Sequence, residues 1–156
     1  MKSNIEKLKF PIGKYKAILE FNFSRTVEDI KTLESFANNL RNSVKGLDKT
    51  DFKKTYRKGG MNIAQIIHHY CDTHTYAFLR TKHALLEVNP NVKMYEVSEF
   101  LTTPESNVLD VEDSLNVIEG IHAKWVSPVS YTHLRAHETL MKLVCRLLLE
   151  KSNAKP

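Results

Sequence analysis

Apolar residues recur at helical spacing in three long stretches, and strand signals are weak throughout. Val27, Ile30, Leu33, Phe36, Leu40, Val44 and Leu47 trace one face of a helix predicted over 26–46. Thr26 and Asp29 are placed to cap its first turn, and Gly46 marks its end. Ile63, Ile66, Ile67, Tyr70, His74, Phe78 and Leu85 stripe a second helix over 62–88. Asn62, with Gln65 three residues on, opens it; Asn89-Pro90 closes it, because a proline disfavours helix in the residue before it. Val111, Leu115, Ile118, Ile121 and Trp125 turn inward along a third helix over 110–125. Residues 1–23 read as a mixed, partly extended arm with a turn at Pro11-Ile12-Gly13. A polar connector, with a short helical turn around Asp51, ends at Gly59-Gly60, and residues 91–109 form a loop with a turn at Ser98–Leu101. The pattern predicts an all-α bundle whose three long amphipathic helices want a fourth.

The last fifth of the chain can imitate that fourth helix. Leu134, Met141, Val144 and Leu148 share one face, and helix is expected over most of 131–150. Burying each leucine in an open groove is worth roughly 1.5–3 kcal/mol. Yet Val129–Thr139 resembles the in-frame translation of a sequencing-library adapter, and Leu143–Lys151 resembles the far end of the same adapter. On that reading residues 1–127 are an incomplete native domain, and 128–156 are a non-native tail to be set aside in reasoning about function. The same reading makes the His133 and His137 pair, which has the spacing of two metal ligands on one helix, a coincidence.

Charge and cysteine content narrow the function classes. The formal net charge is +5, but residues 129–156 supply +3 of it. The remaining +2 is too little to argue a nucleic-acid-binding face. Cys145 falls in the tail, so Cys71 is left alone and no disulfide framework is expected within one native chain. No long apolar span suggests a membrane segment, and a soluble, cytoplasmic protein is expected.

His68-His69-Tyr70-Cys71-Asp72-Thr73-His74 is the candidate site. Residues three and four apart share a helix face, so His69, Asp72 and Thr73 can approach one point, while His68 points about a quarter turn away. A neutral imidazole is a good ligand for Zn or Ni. This helix offers one good ligand, and a catalytic metal site typically needs three and an open position. Read alone, the cluster leaves two readings open: a metal ligand, or histidines satisfied by packing and solvent. Cys71 reads as a small core filler. Asp72 reads either as an acceptor that orients a ligand imidazole or as a surface carboxylate. Arg80 and Lys82 read either as an attraction for an anionic cofactor or as solvated charges.

A family resemblance runs through these residues. Phe10-Pro-Ile-Gly-Lys-Tyr15, Tyr56-Arg-Lys-Gly-Gly60, Ala64-Gln-Ile-Ile-His-His-Tyr-Cys-Asp-Thr-His74, Arg80-Thr-Lys82 and Asn89-Pro90 resemble, in one register, the DinB-like superfamily in its YfiT-type branch. Met61 stands where that branch has Trp, Tyr76 where it often has Asn, and the match stops near Val126. The resemblance implies a four-helix bundle holding one divalent metal, Zn or Ni, on three histidines. His69 takes the position of the ligand on the second helix, and an HxxxH pair on the final helix supplies the others. It also implies a metal-dependent hydrolase or a bacillithiol-transferase-like enzyme, in which a low-molecular-weight thiol attacks a small electrophile, and it suggests a homodimer. Arg80 would face the thiol co-substrate. His69 is expected to point inward and His68 to be more exposed. With the final-helix ligands absent, this chain is expected to bind metal weakly and to lack activity. The competing class is a non-catalytic helical module without metal.

Overall fold

The computed structural model describes residues 7–8, 10, 13–14, 22–88, 90–91 and 95–135. Its long helices are α1 (Phe23–Val44), α3 (Ile63–Leu86) and α5 (Glu112–Arg135). Between them lie two single-turn helices, α2 (Lys49–Phe52) and α4 (Val97–Phe100), and a 3-10 turn at Glu105–Asn107. Among the described residues β pairing is confined to an isolated bridge between Thr55 and Asn62. No described helix is long and apolar enough to cross a membrane.

The helix starts follow from side-chain capping. Asn62 accepts from the Gln65 N–H while the Gln65 side chain accepts from the Asn62 N–H, so two otherwise unpaired donors are satisfied together. Asp48 and Asp51 do the same for α2. α1 departs from the expectation: it starts three residues before Thr26, where Asn22 accepts from the Arg25 N–H. Thr26 is a helix-interior residue whose hydroxyl donates to the Asn22 carbonyl. α1 ends where Gly46 adopts φ +83°, a left-handed conformation that glycine tolerates without strain.

α5 also departs from the expectation. It does not stop at Trp125; its helical backbone passes Pro128 and continues to Arg135. Helix over 131–135 is therefore observed, and the rest of the tail, His137 included, lies outside the described residues.

α5 packs against both α1 and α3. Ala64 and Ile67 of α3 meet Leu115 of α5 and Val111 just before it, with Leu40 and Val44 of α1 packed against them. Arg41 on α1 reaches Glu112, Asn116 and Glu119, one turn apart along α5, and so sets the register of the two helices. The inward seam of α5 is Val111, Leu115, Ile118, His122 and Trp125, all buried. His122, not the expected Ile121, occupies the fourth place. Trp125 donates its indole N–H to Thr81 of α3 at 3.1 Å, which satisfies a buried donor.

Candidate functional site

His68, His69, His74 and His122, on α3 and α5, have three different environments. His68 is buried, which corrects the expectation that it is the more exposed of the adjacent pair. Its Nε2 lies 3.1 Å from the Val108 carbonyl, which can only accept, so Nε2 carries the proton. Its Nδ1, 2.8 Å from Ser114 Oγ, then accepts from that hydroxyl. Both ring nitrogens are committed, and His68 pins α3 to the chain leading into α5 and to α5 itself.

His74 and His122 form a second arrangement. His122 Nδ1 lies 2.7 Å from the Leu33 carbonyl and therefore donates to it. That leaves Nε2 as an acceptor, and the partner 2.6 Å away is His74 Nδ1, which must donate. The Phe36 ring stacks on both imidazoles, at 4.5 Å from His74 and 5.1 Å from His122, and Trp125 meets both edge-on. Burial pushes the His122 pKa down from 6.5, so the ring is neutral at pH 7. This pair ties α1, α3 and α5 together. Sequence reasoning placed His74 inward and missed His122.

His69 belongs to the other side of α3. His69, Asp72, Thr73, Tyr76 and Arg80 follow one another at offsets of three, four, seven and eleven residues, a single helical face. Tyr95, just before α4, closes over this face. Its ring stacks on Tyr76 at 4.6 Å and meets Phe100 of α4 at 4.7 Å. Its hydroxyl is 2.5 Å from Thr73 Oγ1 and 3.5 Å from His69 Nδ1, and Thr73 Oγ1 is 3.4 Å from the same nitrogen. Among the described residues, Thr73 and Tyr95 bring oxygens to His69 Nδ1.

The electrostatics of this face are mixed. Burial, and then the charge of Glu105, push the Asp72 carboxyl above the usual range. Burial also raises the Tyr95 phenol, which remains protonated at neutral pH. Arg80 is buried, not a solvated charge, whereas Lys82 is exposed. Cys71 is half-buried and its thiol is pushed up by burial, the opposite of what activates a nucleophile.

His69 fits one ligand position, because a metal-binding imidazole usually turns its other nitrogen to an oxygen. Among the described residues no three His, Cys, Asp or Glu side chains gather so that they could hold a metal ion. A three-ligand site at His69 would need two further donors from outside that set. His133 lies on the helical backbone of α5 with its side chain undescribed, and His137 is outside the described residues.

Comparison with known proteins places this arrangement in a lineage. No family model matches the chain. A protein of Geobacillus kaustophilus named "putative metal-dependent hydrolase" is 33% identical over 139 residues, spanning 88% of this chain and 78% of that protein. A protein of the same name from Geobacillus thermodenitrificans is 36% identical over 125 residues, 80% of this chain and 70% of that protein. Among solved structures, YfiT of Bacillus subtilis, described as a probable metal-dependent hydrolase with an unusual four-helix bundle topology, superposes with a TM-score of 0.82. That likeness covers 94% of this chain and 89% of YfiT at 23% identity, and so establishes the shared fold. The chain belongs to the YfiT-type family of the DinB-like superfamily, whose members carry the name of metal-dependent hydrolases.

Proposed function

We propose that the protein is a metal-dependent enzyme of the hydrolase type and that its chemistry takes place on the His69 face of α3. The observation that carries this reading is the setting of His69. His69 has the Thr73 and Tyr95 hydroxyls at Nδ1 and lies on a helix face shared with Asp72 and Arg80. The names of the relatives support a divalent metal in general. We assign His69 as the ligand from α3, with Zn or Ni as the metal and the remaining ligands on the final helix. A divalent metal supplies Lewis acidity there, lowering the pKa of a thiol or a water so that either can act at neutral pH.

The finer proposal is thiol S-transfer to a small electrophile. Arg80, a buried cation on the same face, would attract the carboxylate of an anionic low-molecular-weight thiol. Tyr95 and Phe100 wall the face with aromatic surface against which an apolar electrophile can pack. A second reading, a helical module without metal, is favoured by one observation: the described residues do not complete a three-ligand cluster.

Equilibrium dialysis against Zn(II) and Ni(II) separates the two readings. The enzyme reading expects metal to be retained by the full chain and lost in His69→Ala. With one ligand assigned among the described residues, binding is expected to be weak. Equal metal uptake by wild type and His69→Ala would overturn the assignment. Consumption of free thiol in the presence of a small epoxide by the metal-loaded protein tests S-transfer; ester or amide hydrolysis without thiol consumption would restrict the function to hydrolysis.

A further inference from the structure

The hydroxyl of Thr73 is used differently from those of the other described threonines of α1 and α3. Thr26, Thr32, Thr75 and Thr81 each donate to the carbonyl four residues back, the usual resting place of a threonine hydroxyl inside a helix. Thr73 instead turns its oxygen toward His69 Nδ1, at 3.4 Å, and toward the Tyr95 hydroxyl, at 2.5 Å. Tyr95 is itself buried, and stacking on Tyr76 and contact with Phe100 hold its ring in place. Its hydroxyl completes a triangle of oxygen, oxygen and imidazole nitrogen, with 3.5 Å on the Tyr95–His69 side. The segment 95–100 and α3 are therefore joined at Nδ1 of His69.

From this geometry we infer that Thr73 and Tyr95 are positioning residues for His69: together they accept a hydrogen bond from Nδ1–H, fixing the ring's orientation and its tautomer so that Nε2 keeps its lone pair. The inference rests on the reading of His69 as a metal ligand, since a ligating Nε2 requires the proton to be on Nδ1. It goes further in naming the residues that enforce this state. A free neutral imidazole favours the proton on Nε2, the form that cannot ligate through that atom. Two hydroxyl oxygens that accept at Nδ1 stabilise the other form. Tyr95 also makes the arrangement depend on the loop: α3 alone supplies Thr73, but the second oxygen arrives only when the segment before α4 is docked.

The test is spectroscopic and needs no turnover. Long-range proton–nitrogen correlation spectra of the metal-free, isotope-labelled full chain, at about pH 8 where imidazole is neutral, report which nitrogen of His69 carries the proton. Wild type is expected to show Nδ1–H. Thr73→Val and Tyr95→Phe, which keep shape and ring stacking but remove one hydroxyl each, are expected to shift His69 toward the Nε2–H form, and Thr73→Ser to restore the wild-type pattern. In a parallel Ni(II) titration, each hydroxyl-deleting variant is expected to bind roughly tenfold or more weakly. Unchanged melting of the variants separates positioning from folding. An Nε2–H tautomer in wild type, or a tautomer that neither variant alters, overturns the inference whether or not metal binds. A tautomer that shifts as expected in a protein that takes no metal at His69 upholds the positioning role and removes the metal reading of function.

Discussion

Replacing His122 by phenylalanine tests the packing account at its most polar point. The substitution keeps a ring against Phe36 and Trp125 and removes both nitrogens. The Leu33 carbonyl loses little, since it lies within α1, where a carbonyl also accepts a helical bond. The cost falls on His74 Nδ1–H, which loses its 2.6 Å acceptor inside the bundle. Removing an acceptor from a part-buried donor costs up to about 1–3 kcal/mol, and the more apolar phenylalanine offsets part of that. A loss of about 1–2 kcal/mol at pH 7.5 is expected from urea unfolding. The pH dependence has a definite sign. The His122 pKa is depressed in the folded protein, so below 6.5 the unfolded chain binds a proton that the native state resists. Wild-type stability is then fully present above 6.5 and is lost progressively as pH falls toward the depressed folded value. His122→Phe lacks this dependence, so the gap between the two proteins should narrow toward about pH 5. A double-mutant cycle with His74→Phe should return a coupling of at least about 0.5 kcal/mol. A variant as stable as wild type at pH 7.5, with the same slope against pH, would refute the reasoning.

The adjacent histidines should separate cleanly in thermal melts. His68→Ala leaves the Val108 carbonyl and the Ser114 hydroxyl without their partner and should lower stability by about 1–3 kcal/mol, while His69→Ala should cost clearly less. Equal losses for the two would contradict the division of roles. Asn62→Ala removes the side-chain acceptor of the Gln65 N–H at the start of α3 and should cost about 1 kcal/mol by urea unfolding, with Asn62→Asp close to wild type.

Much of this fold is visible in the chain because helical periodicity and caps are local signals. Asn62 and Gln65 announce the start of α3, and the α1 stripe from Val27 to Val44 faces inward as its spacing requires. The start of α1 was harder to read, because Asn22 and Thr26 both carry cap chemistry and only the backbone decides between them. The 111–115–118–122–125 spacing of the α5 seam continues in register through His122, but apolarity alone selects its neighbour Ile121. Thr73 is legible as a face-mate of His69, four residues on. Tyr95 is not legible, because its contact with that face spans 22 residues and depends on how the loop returns over α3. The inversion of His68 and His69 has a similar cause: α3 is packed on more than one side, and one stripe of apolar residues does not tell which side holds the polar pin and which the candidate ligand.

The central claim is that His69 is the point on α3 where a metal binds. Crystals of the full chain equilibrated with Zn(II), measured on either side of the zinc absorption edge, test it directly. The account predicts an anomalous peak about 2.0–2.1 Å from His69 Nε2, with the Thr73 and Tyr95 hydroxyls on the opposite side of the ring. Zinc density at His68 or between His74 and His122, with none at His69, would contradict it.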